Sequence, residues 1–412
     1  MSTLHPTKKI QTVQPRYSVS FACTGAACED NCCTGWSVHI DKKTFNAYRQ
    51  SHVPQLTERI EKKLKRVRSL NSDKQYARIE MEPVSEACPF MEEKLCSVQR
   101  EMGEDKLSNT CSTYPRSTRV IDGQHEQSLT LSCPEAARLA LLHSDAMDFV
   151  ESNVIVRKEN IAGKNNKQGL TPALMTSVRV FALQLMRTEG IELWQKLAML
   201  GFFCEQLTLT LKSGDHHRIP QLLDETTQMV TSGAMVEATS ALRPDYVVQA
   251  TIFSSLWQLK ANRKYSPIQE AVQQAVSLGL GADPVSYEVT QQQMIDRYTL
   301  GVKRLPEALK SVPFLIENYV INDMFSELFP FGEASPDKHF LKLVTRMGLV
   351  RLMLAAQCND SDNLPSPDQM ARTVQVFCRR YQHDTTYAAT VNSAFQNAGW
   401  TSLEKIYRFL RT

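Results

Sequence analysis

Residues 171–190, "TPALMTSVRVFALQLMRTEG", carry the signals of an α-helix in the order in which a helix uses them. Thr171 is a suitable N-cap, and Pro172 suits the first turn because an amide proton is not needed there. Apolar side chains then recur at spacings of three and four residues, which places them on one face. Gly190 is expected to terminate the helix. The stretch therefore predicts an amphipathic helix packed on a core.

Similar helical patterns cover most of the chain after Leu170. They predict helices at 191–212, 218–231, 245–260, 265–278, 313–328, 338–357, 366–382 and 385–410. The segment before Leu170 is different, because it is rich in turn residues and in short alternating stretches. We therefore expect a mainly α fold, in which a small cysteine-rich α+β metal-binding segment (16–140) precedes an irregular helical domain (141–412). The helical domain is the one expected to bind the substrate and any small-molecule donor.

The amino-terminal segment has its own expected elements. Residues 1–15 are polar and contain two prolines, so we expect a loose lead-in. The stretches "RYSVSFACT" and "GWSVHID" suggest short strands. In "STRVIDGQHEQSLTLSCPE" the pair Asp122-Gly123 predicts the tight turn of a β-hairpin, which returns the chain to Cys133.

Composition excludes several classes of partner. The chain has 412 residues, of which 42% are hydrophobic, and 47 Lys and Arg oppose 44 Asp and Glu. A net charge of +3 is too small to indicate a nucleic-acid or anionic-membrane partner. No apolar region follows the amino-terminal charges, and no window reaches the roughly 18 apolar residues of a membrane span. We therefore expect a cytoplasmic protein.

The cysteines are distributed unevenly. The last three, Cys204, Cys358 and Cys378, lie in helical apolar contexts where a cysteine is usually a small buried hydrophobe. The other eight lie in the first 133 residues, in turn-like contexts: Cys23, Cys28, Cys32, Cys33, Cys88, Cys96, Cys111 and Cys133. In the reducing cytoplasm such a group indicates a metal or redox chemistry rather than a set of disulfides.

Clustered thiolates repel one another unless a cation offsets their charge, so zinc or an iron–sulfur cluster is favoured. The spacing C-x4-C-x3-C-C in residues 23–33 matches neither a zinc ribbon nor the C-x3-C-x2-C of radical S-adenosylmethionine enzymes. Reduced structural thiols and a redox relay remain open alternatives. The chain has no G-x-S-x-G, no H-E-x-x-H and no phosphate-cradling loop, so common hydrolase and kinase chemistries are unsupported.

A second conspicuous stretch is "ENYVINDMFSELFPFGE", residues 317–333, in which aromatic side chains alternate with Asn and Asp. The pattern is typical of a core helix, and a pocket wall is the alternative. Together with "CTGAACEDNCC", "CPFMEEKLC", "LSNTCSTYPR" and "LSCPE", it resembles the bacterial flagellin lysine N-methylases. The cysteine pattern alone resembles the wider family of zinc- or iron-chelating domains.

The resemblance implies an enzyme that methylates surface lysines of flagellin, with S-adenosylmethionine as donor and an iron–sulfur centre, expected to be [4Fe-4S]. It implies all eight early cysteines as candidate ligands, more than the four that one such cluster takes. Glu317, Tyr319 and Asn322 are the candidate catalytic residues, since their chemistry suits deprotonation and binding of an amine. The alternative is a non-enzymatic, zinc-stapled module that binds flagellin or another export client. The sequence leaves the oligomeric state open.

Overall fold

The computed structural model describes residues 4–69, 72–121, 123–163, 169–259, 266–359 and 363–412. The chain divides into two compact units. The first comprises Met1–Leu139, Asp148–Lys164 and Asn262–Gln269, and the second comprises Ala140–Met147, Asn165–Ala261 and Glu270–Thr412. Helices dominate, which confirms the predicted mainly α class.

The described residues form eighteen α-helices. They are α1 (Arg16–Val19), α2 (Lys42–Arg49), α3 (Pro54–Lys63), α4 (Ser97–Met102), α5 (Asn109–Thr113), α6 (Pro134–Leu141), α7 (Pro172–Met186), α8 (Leu193–Ser213), α9 (Ile219–Thr231), α10 (Ala234–Ser240), α11 (Tyr246–Gln258), α12 (Pro267–Gly279), α13 (Gln291–Ala308), α14 (Leu315–Ser326), α15 (Pro336–Gln357), α16 (Pro367–Phe377), α17 (Thr385–Asn397) and α18 (Leu403–Tyr407). All strands of the described residues lie in the first unit. They are β1 (Thr7–Pro15), β2 (His39–Ile40), β3 (Leu64–Arg66), β4 (Ala77–Ile79), β5 (Met91–Glu92), β6 (Leu95–Cys96), β7 (Arg116–Ile121), β8 (Gln124–Leu129), β9 (Phe149–Arg157) and β10 (Ile161–Gly163).

The largest sheet has five strands in the order β10-β7-β8-β1-β9. Strand β1 runs parallel to β8 and antiparallel to β9, so the expectation of a loose lead-in over residues 1–15 was wrong. Alternate side chains of β1, namely Ile10, Thr12 and Gln14, are buried, which is the period of a strand with one covered face. The stretch predicted as a strand from Arg16 instead begins with helix α1.

The hairpin prediction is confirmed. Strands β7 and β8 pair in antiparallel register from Arg116–Leu129 to Ile121–Gln124. Gly123 has a φ of 76°, which glycine adopts without steric cost. The other predicted turn residue, Asp122, lies outside the described residues. Two smaller sheets, β2-β4-β3 and β5-β6, complete the strands of this unit.

The second unit is built around α15, which is buried along most of its 22 residues. Helices α8, α11, α13, α14 and α16 pack against it. Close approach requires glycine at two places: a Cβ at Gly348 would collide with the ring of Phe253, and one at Gly301 with the carbonyl of Ala355. Such contacts fix the packing of neighbouring helices, since protein interiors leave no spare volume.

Helix α7 begins as predicted, because the Thr171 side chain accepts a hydrogen bond from the amide of Leu174. It ends at Met186, so Gly190 lies beyond the helix instead of terminating it. In the second unit, two of the described helices were not predicted, α10 and α13. The single helix expected at 385–410 is two, and Gly399, with a φ of 67°, lies between them.

No helix in the described ranges is both long and apolar enough to cross a bilayer.

Candidate functional site

A backbone ladder joins the first two groups of cysteines in the first unit. The amide of Cys88 donates to the carbonyl of Cys33 at 2.7 Å, and the amide of Gly35 donates to the carbonyl of Glu86 at 3.1 Å. Thr34 and Ala87 form an antiparallel bridge between these bonds. The sequence folds this way because Gly35 supplies a positive φ of 78° where the chain turns. Two cysteines distant in sequence are therefore held side by side.

The short β5–β6 hairpin positions Cys96. Its strands pair Met91 with Cys96, and the amide of Met91 also donates to the carbonyl of Cys88 at 2.9 Å. Cys96 then precedes helix α4 directly. The side chains of Cys88 and Cys96 pack, partly buried, against the hydrophobic core of this region, which includes Phe90. Packing therefore fixes the places of both thiols.

Each of the other early cysteines lies at or beside a turn or a helix end. Cys28 follows a short 3₁₀ turn, and its amide donates to the carbonyl of Gly25 at 3.1 Å. Cys111 lies in the first turn of α5, where Ser108 caps its amide at 3.1 Å. Cys133 immediately precedes α6, so free amides of the first turn point toward its sulfur. Hydrogen-bond donors at such positions favour the thiolate, but burial outweighs them and raises the pKa of all three thiols.

Electrostatic interactions show that these cysteines are gathered around Cys32. A thiolate at Cys32 raises the pKa of six other thiols, those of Cys28, Cys33, Cys88, Cys96, Cys111 and Cys133. Burial is the largest cause for Cys88 and Cys133, and it raises the pKa of each to about 11. For Cys33 the largest cause is a hydrogen bond with Cys32, and its pKa is raised well above the ordinary range.

The donor chemistry of this group fits a thiophilic metal, because seven cysteine sulfurs lie near one another and their thiolates would repel one another unless a cation were bound. Their geometry is not that of a coordination shell. In the ranges that the structure describes, no three Cys, His, Asp or Glu side chains are close enough to hold a metal ion. The structure thus brings the predicted ligands together without arranging them around one point. Cys23 is exposed and lies outside the group around Cys32, and its charge acts instead on Arg116.

The three late cysteines are buried in the helical unit, as the sequence predicted. Cys358 donates from its Sγ to the carbonyl of Leu354 at 3.4 Å, four residues earlier on α15. This is the environment of a small hydrophobe with a weak donor.

The predicted catalytic residues lie on α14, in the second unit. Tyr319 and Asn322 are three residues apart, share one face and are 1% and 3% exposed. Glu317 lies two residues before Tyr319, on a different face that is partly exposed. The structure therefore places Tyr319 and Asn322 together and Glu317 apart from them. The interpretation of this stretch as a core helix is confirmed for α14.

Two of these residues differ sharply in what they can do chemically. The Tyr319 hydroxyl is buried without a hydrogen-bond partner, and burial raises its pKa well above the ordinary value, so it stays neutral. The Glu317 carboxylate accepts from the Lys196 Nζ at 2.9 Å. Lys196, only 5% exposed in its side chain, also donates to the carbonyl of Met186 at 3.0 Å. Of the two, Glu317 is therefore the one suited to accept a proton.

Sequence reasoning missed a buried charge network beside Tyr319. Arg346 donates to Asp323 at 2.8 Å and lies 3.3 Å from Glu327, and Lys342 contacts Glu327 at 3.0 Å. Burial raises the pKa of Asp323, against the opposing effect of Arg346. A signal was present in the sequence, since the two carboxylates are four residues apart and so are the two cations. They face each other because α14 packs on α15.

Comparison with known protein families shows that residues 179–409 match the model of the FliB lysine N-methylase C-terminal domain. Two proteins named Lysine-N-methylase align over 389 residues, which is 92% of this chain and 94% of each relative. They come from Salmonella choleraesuis (24% identical) and Salmonella typhimurium (23%). The Flagellar biosynthetic protein FliU of Salmonella muenchen is 32% identical over 151 residues, 36% of this chain and 88% of that protein. No solved structure matches.

The matched domain contains α14, with all three predicted catalytic residues, and α15 with its charge network. The resemblance noted from the sequence is therefore confirmed at the level of the family. Because the family model spans more than half of the chain, the protein belongs to the FliB lysine N-methylase family of methyltransferases.

Proposed function

We propose that this protein transfers methyl groups from S-adenosylmethionine to the ε-amino groups of surface lysines on flagellin. Membership of the lysine N-methylase family supports the lysine as acceptor. Flagellin is favoured as the substrate because a relative bears the name Flagellar biosynthetic protein. The same membership favours an enzyme over a non-enzymatic module that binds flagellin or an export client.

The acceptor lysine must lose a proton before it can take a methyl group, since its ammonium has no lone pair. At an ordinary pKa of about 10.4, few lysines are neutral near pH 7. A carboxylate within reach would take that proton. Glu317 is our candidate, because Lys196 holds its Oε2 and its other oxygen makes no hydrogen bond among the described residues. Tyr319 and Asn322 are proposed to bind and orient rather than to exchange protons.

The second part of the proposal is an iron–sulfur cluster, [4Fe-4S] in its simplest form, held by cysteines of the first unit. The candidates are the thiols around Cys32 together with Cys23. A bound cation is supported because the thiolates of the group around Cys32 would repel one another without one, and the soft sulfur donors suit iron or zinc. A bound cluster would supply thiolate-ligated iron that polarises the methyl donor or staples the fold. Zinc is the alternative metal, and a colourless protein with stoichiometric zinc would favour it.

Mass spectrometry of flagellin tests the substrate assignment. Purified flagellin is incubated with the protein and S-adenosylmethionine without oxygen, and its lysine peptides are mapped. We expect mass gains of whole methyl groups on surface lysines of flagellin, and none on an unrelated lysine-rich protein in the same tube. Equal methylation of both proteins would contradict flagellin as the specific substrate, and methylation of neither would contradict the proposed activity.

A further inference from the structure

A cavity of about 440 Å³ opens in the first unit, beside strands β7, β8 and β9. Its volume lies in the range of about 300 to 1,000 Å³ that small-molecule sites occupy. The side chains that matter for its chemistry are Glu104, Ser112, Arg116, Thr118 and Gln127. Strand pairing fixes two of them. Thr118 lies directly opposite Gln127, and its hydroxyl accepts a hydrogen bond from the side-chain amide of Gln127 at 2.8 Å.

The cavity carries two opposite charges that do not pair with each other. Among the described residues, the Arg116 guanidinium makes neither a hydrogen bond nor an ion pair, and it lies over the ring of Phe21 at 4.9 Å. The Glu104 carboxylate likewise has no hydrogen-bond or ion-pair partner within the described ranges. The two are close enough that the charge of Glu104 acts on the pKa of Arg116. The cavity therefore presents one positive and one negative side chain that do not neutralise each other.

Two other charged groups of the same cavity, Arg157 and Asp105, are held by hydrogen bonds, which sets Arg116 and Glu104 apart from them. Arg157 donates to the carbonyl of Leu107 at 2.8 Å and to the carbonyl of Glu104 at 2.9 Å. Asp105 accepts from the amide of Leu4 at 2.9 Å and pairs with Lys106 at 3.0 Å. These groups hold the wall together, whereas the Arg116 guanidinium and the Glu104 carboxylate remain available to a ligand.

A ligand with only a negative charge would be repelled by Glu104, and one with only a positive charge by Arg116. An α-amino carboxylate carries both charges on one carbon and satisfies both side chains. We propose that this cavity binds the amino-acid end of the methyl donor, with the carboxylate on Arg116 and the ammonium on Glu104. The inference rests on the proposed use of S-adenosylmethionine.

The position of Arg116 agrees with this assignment. Although the residue as a whole is exposed, desolvation lowers the pKa of its guanidinium, and the charges of Cys23 and Cys133 oppose that effect. A donor held on Arg116 would therefore lie near two of the candidate metal ligands. Because Arg116 already rests on Phe21, little side-chain freedom remains to be lost when it binds a carboxylate.

Equilibrium dialysis of the full-length protein, purified without oxygen, tests the assignment. The probes are S-adenosylmethionine and its decarboxylated form, which keeps the ammonium but lacks the carboxylate. The wild type should bind the first about 10 to 100 times more tightly, which is the usual gain from a hydrogen bond to a charged group. The variant Arg116→Gln should lose that preference and bind the decarboxylated form as the wild type does.

Arg49→Gln is the matched control, since Arg49 is an exposed arginine of the same unit that does not line the cavity. It should keep the wild-type preference, and circular dichroism should show all variants folded. Unchanged binding of S-adenosylmethionine by Arg116→Gln would overturn this inference but leave the proposed function standing. Absence of binding by the wild type would overturn the donor assignment itself, and the inference with it.

Discussion

The backbone amide of Cys88 donates a 2.7 Å hydrogen bond to the carbonyl of Cys33. This bond joins two cysteine segments that are far apart in sequence, and the neighbouring bridge between Thr34 and Ala87 extends it. The backbone therefore holds Cys33 and Cys88 next to each other, although 54 residues separate them in the sequence.

Replacement of Cys32 should reduce the metal content without unfolding the protein. Cys32 is exposed, and its charge acts on six other thiols, so we expect Cys32→Ser to lose most of the bound iron. Cys358→Ser is the control, because a serine hydroxyl there can also donate to the carbonyl of Leu354. Iron and sulfide analysis of oxygen-free preparations measures both. Equal iron in the two variants would contradict a cluster at this group.

The proposed role of Glu317 is testable in a double variant. Glu317→Gln alone leaves the Lys196 ammonium buried without a countercharge, so a loss of activity could reflect lost stability. In Lys196→Met combined with Glu317→Gln both charges are absent, and stability should be close to wild type. If Glu317 accepts the lysine proton, the double variant should still transfer methyl groups about 100-fold more slowly or worse. Wild-type rates in a folded double variant would assign Glu317 a structural role.

Breaking the buried pair of Asp323 and Arg346 should destabilise the second unit. Asp323 is 2% exposed, so Asp323→Asn leaves an arginine charge only partly compensated by Glu327. We expect a loss of about 3 kcal/mol in the free energy of unfolding, measured by urea denaturation. The exposed pair of Glu307 and Lys310, 3.6 Å apart, supplies the control. Glu307→Gln should have little effect, since exposed ion pairs stabilise weakly.

Acid should destabilise the second unit through His339. Burial, helped by the nearby charge of Lys342, lowers the pKa of His339 to about 3, and its Nδ1 accepts the amide proton of Gly332. Because the folded pKa lies below the unfolded value of about 6.5, the unfolded state binds more protons between these values. The stabilising contribution is therefore complete above about pH 6.5 and is lost as the pH falls toward 3.

His339→Gln should show a weaker fall in unfolding free energy over that interval than the wild type. The exposed His217 gives the comparison, and His217→Gln should follow the wild-type curve. Urea unfolding at a series of pH values measures all three proteins. Parallel curves for wild type and His339→Gln would show that His339 is not the group that titrates.

The sequence was most informative where local signals and packing agree. The cap and proline of α7 predicted its first turn correctly, and the glycine turn predicted the β7–β8 hairpin. It failed at β1, because polar residues such as Gln14 are buried there by strand pairing that local composition does not encode. Helix α13 was missed where polar residues outnumber apolar ones and Pro306 lies within the helix.

The candidate site was predictable to a similar, partial extent. The sequence predicted that the early cysteines bind a metal, and that stays a prediction: Cys32 acts on the pKa of six other thiols, but no three ligand side chains of the described residues are close enough to hold an ion. The cavity containing Arg116 could not be predicted, because its charges come from residues that become neighbours only in the folded first unit. The buried pair of Asp323 and Arg346 depends in the same way on the contact between α14 and α15.

The most direct test of the central claim follows an isotope-labelled methyl group from S-adenosylmethionine, in the presence of this protein and flagellin and without oxygen. Our account predicts that the label appears on the ε-nitrogen of flagellin lysines at a rate proportional to the protein concentration. Flagellin that remains unlabelled, with a folded and metal-loaded protein in the tube, would contradict it.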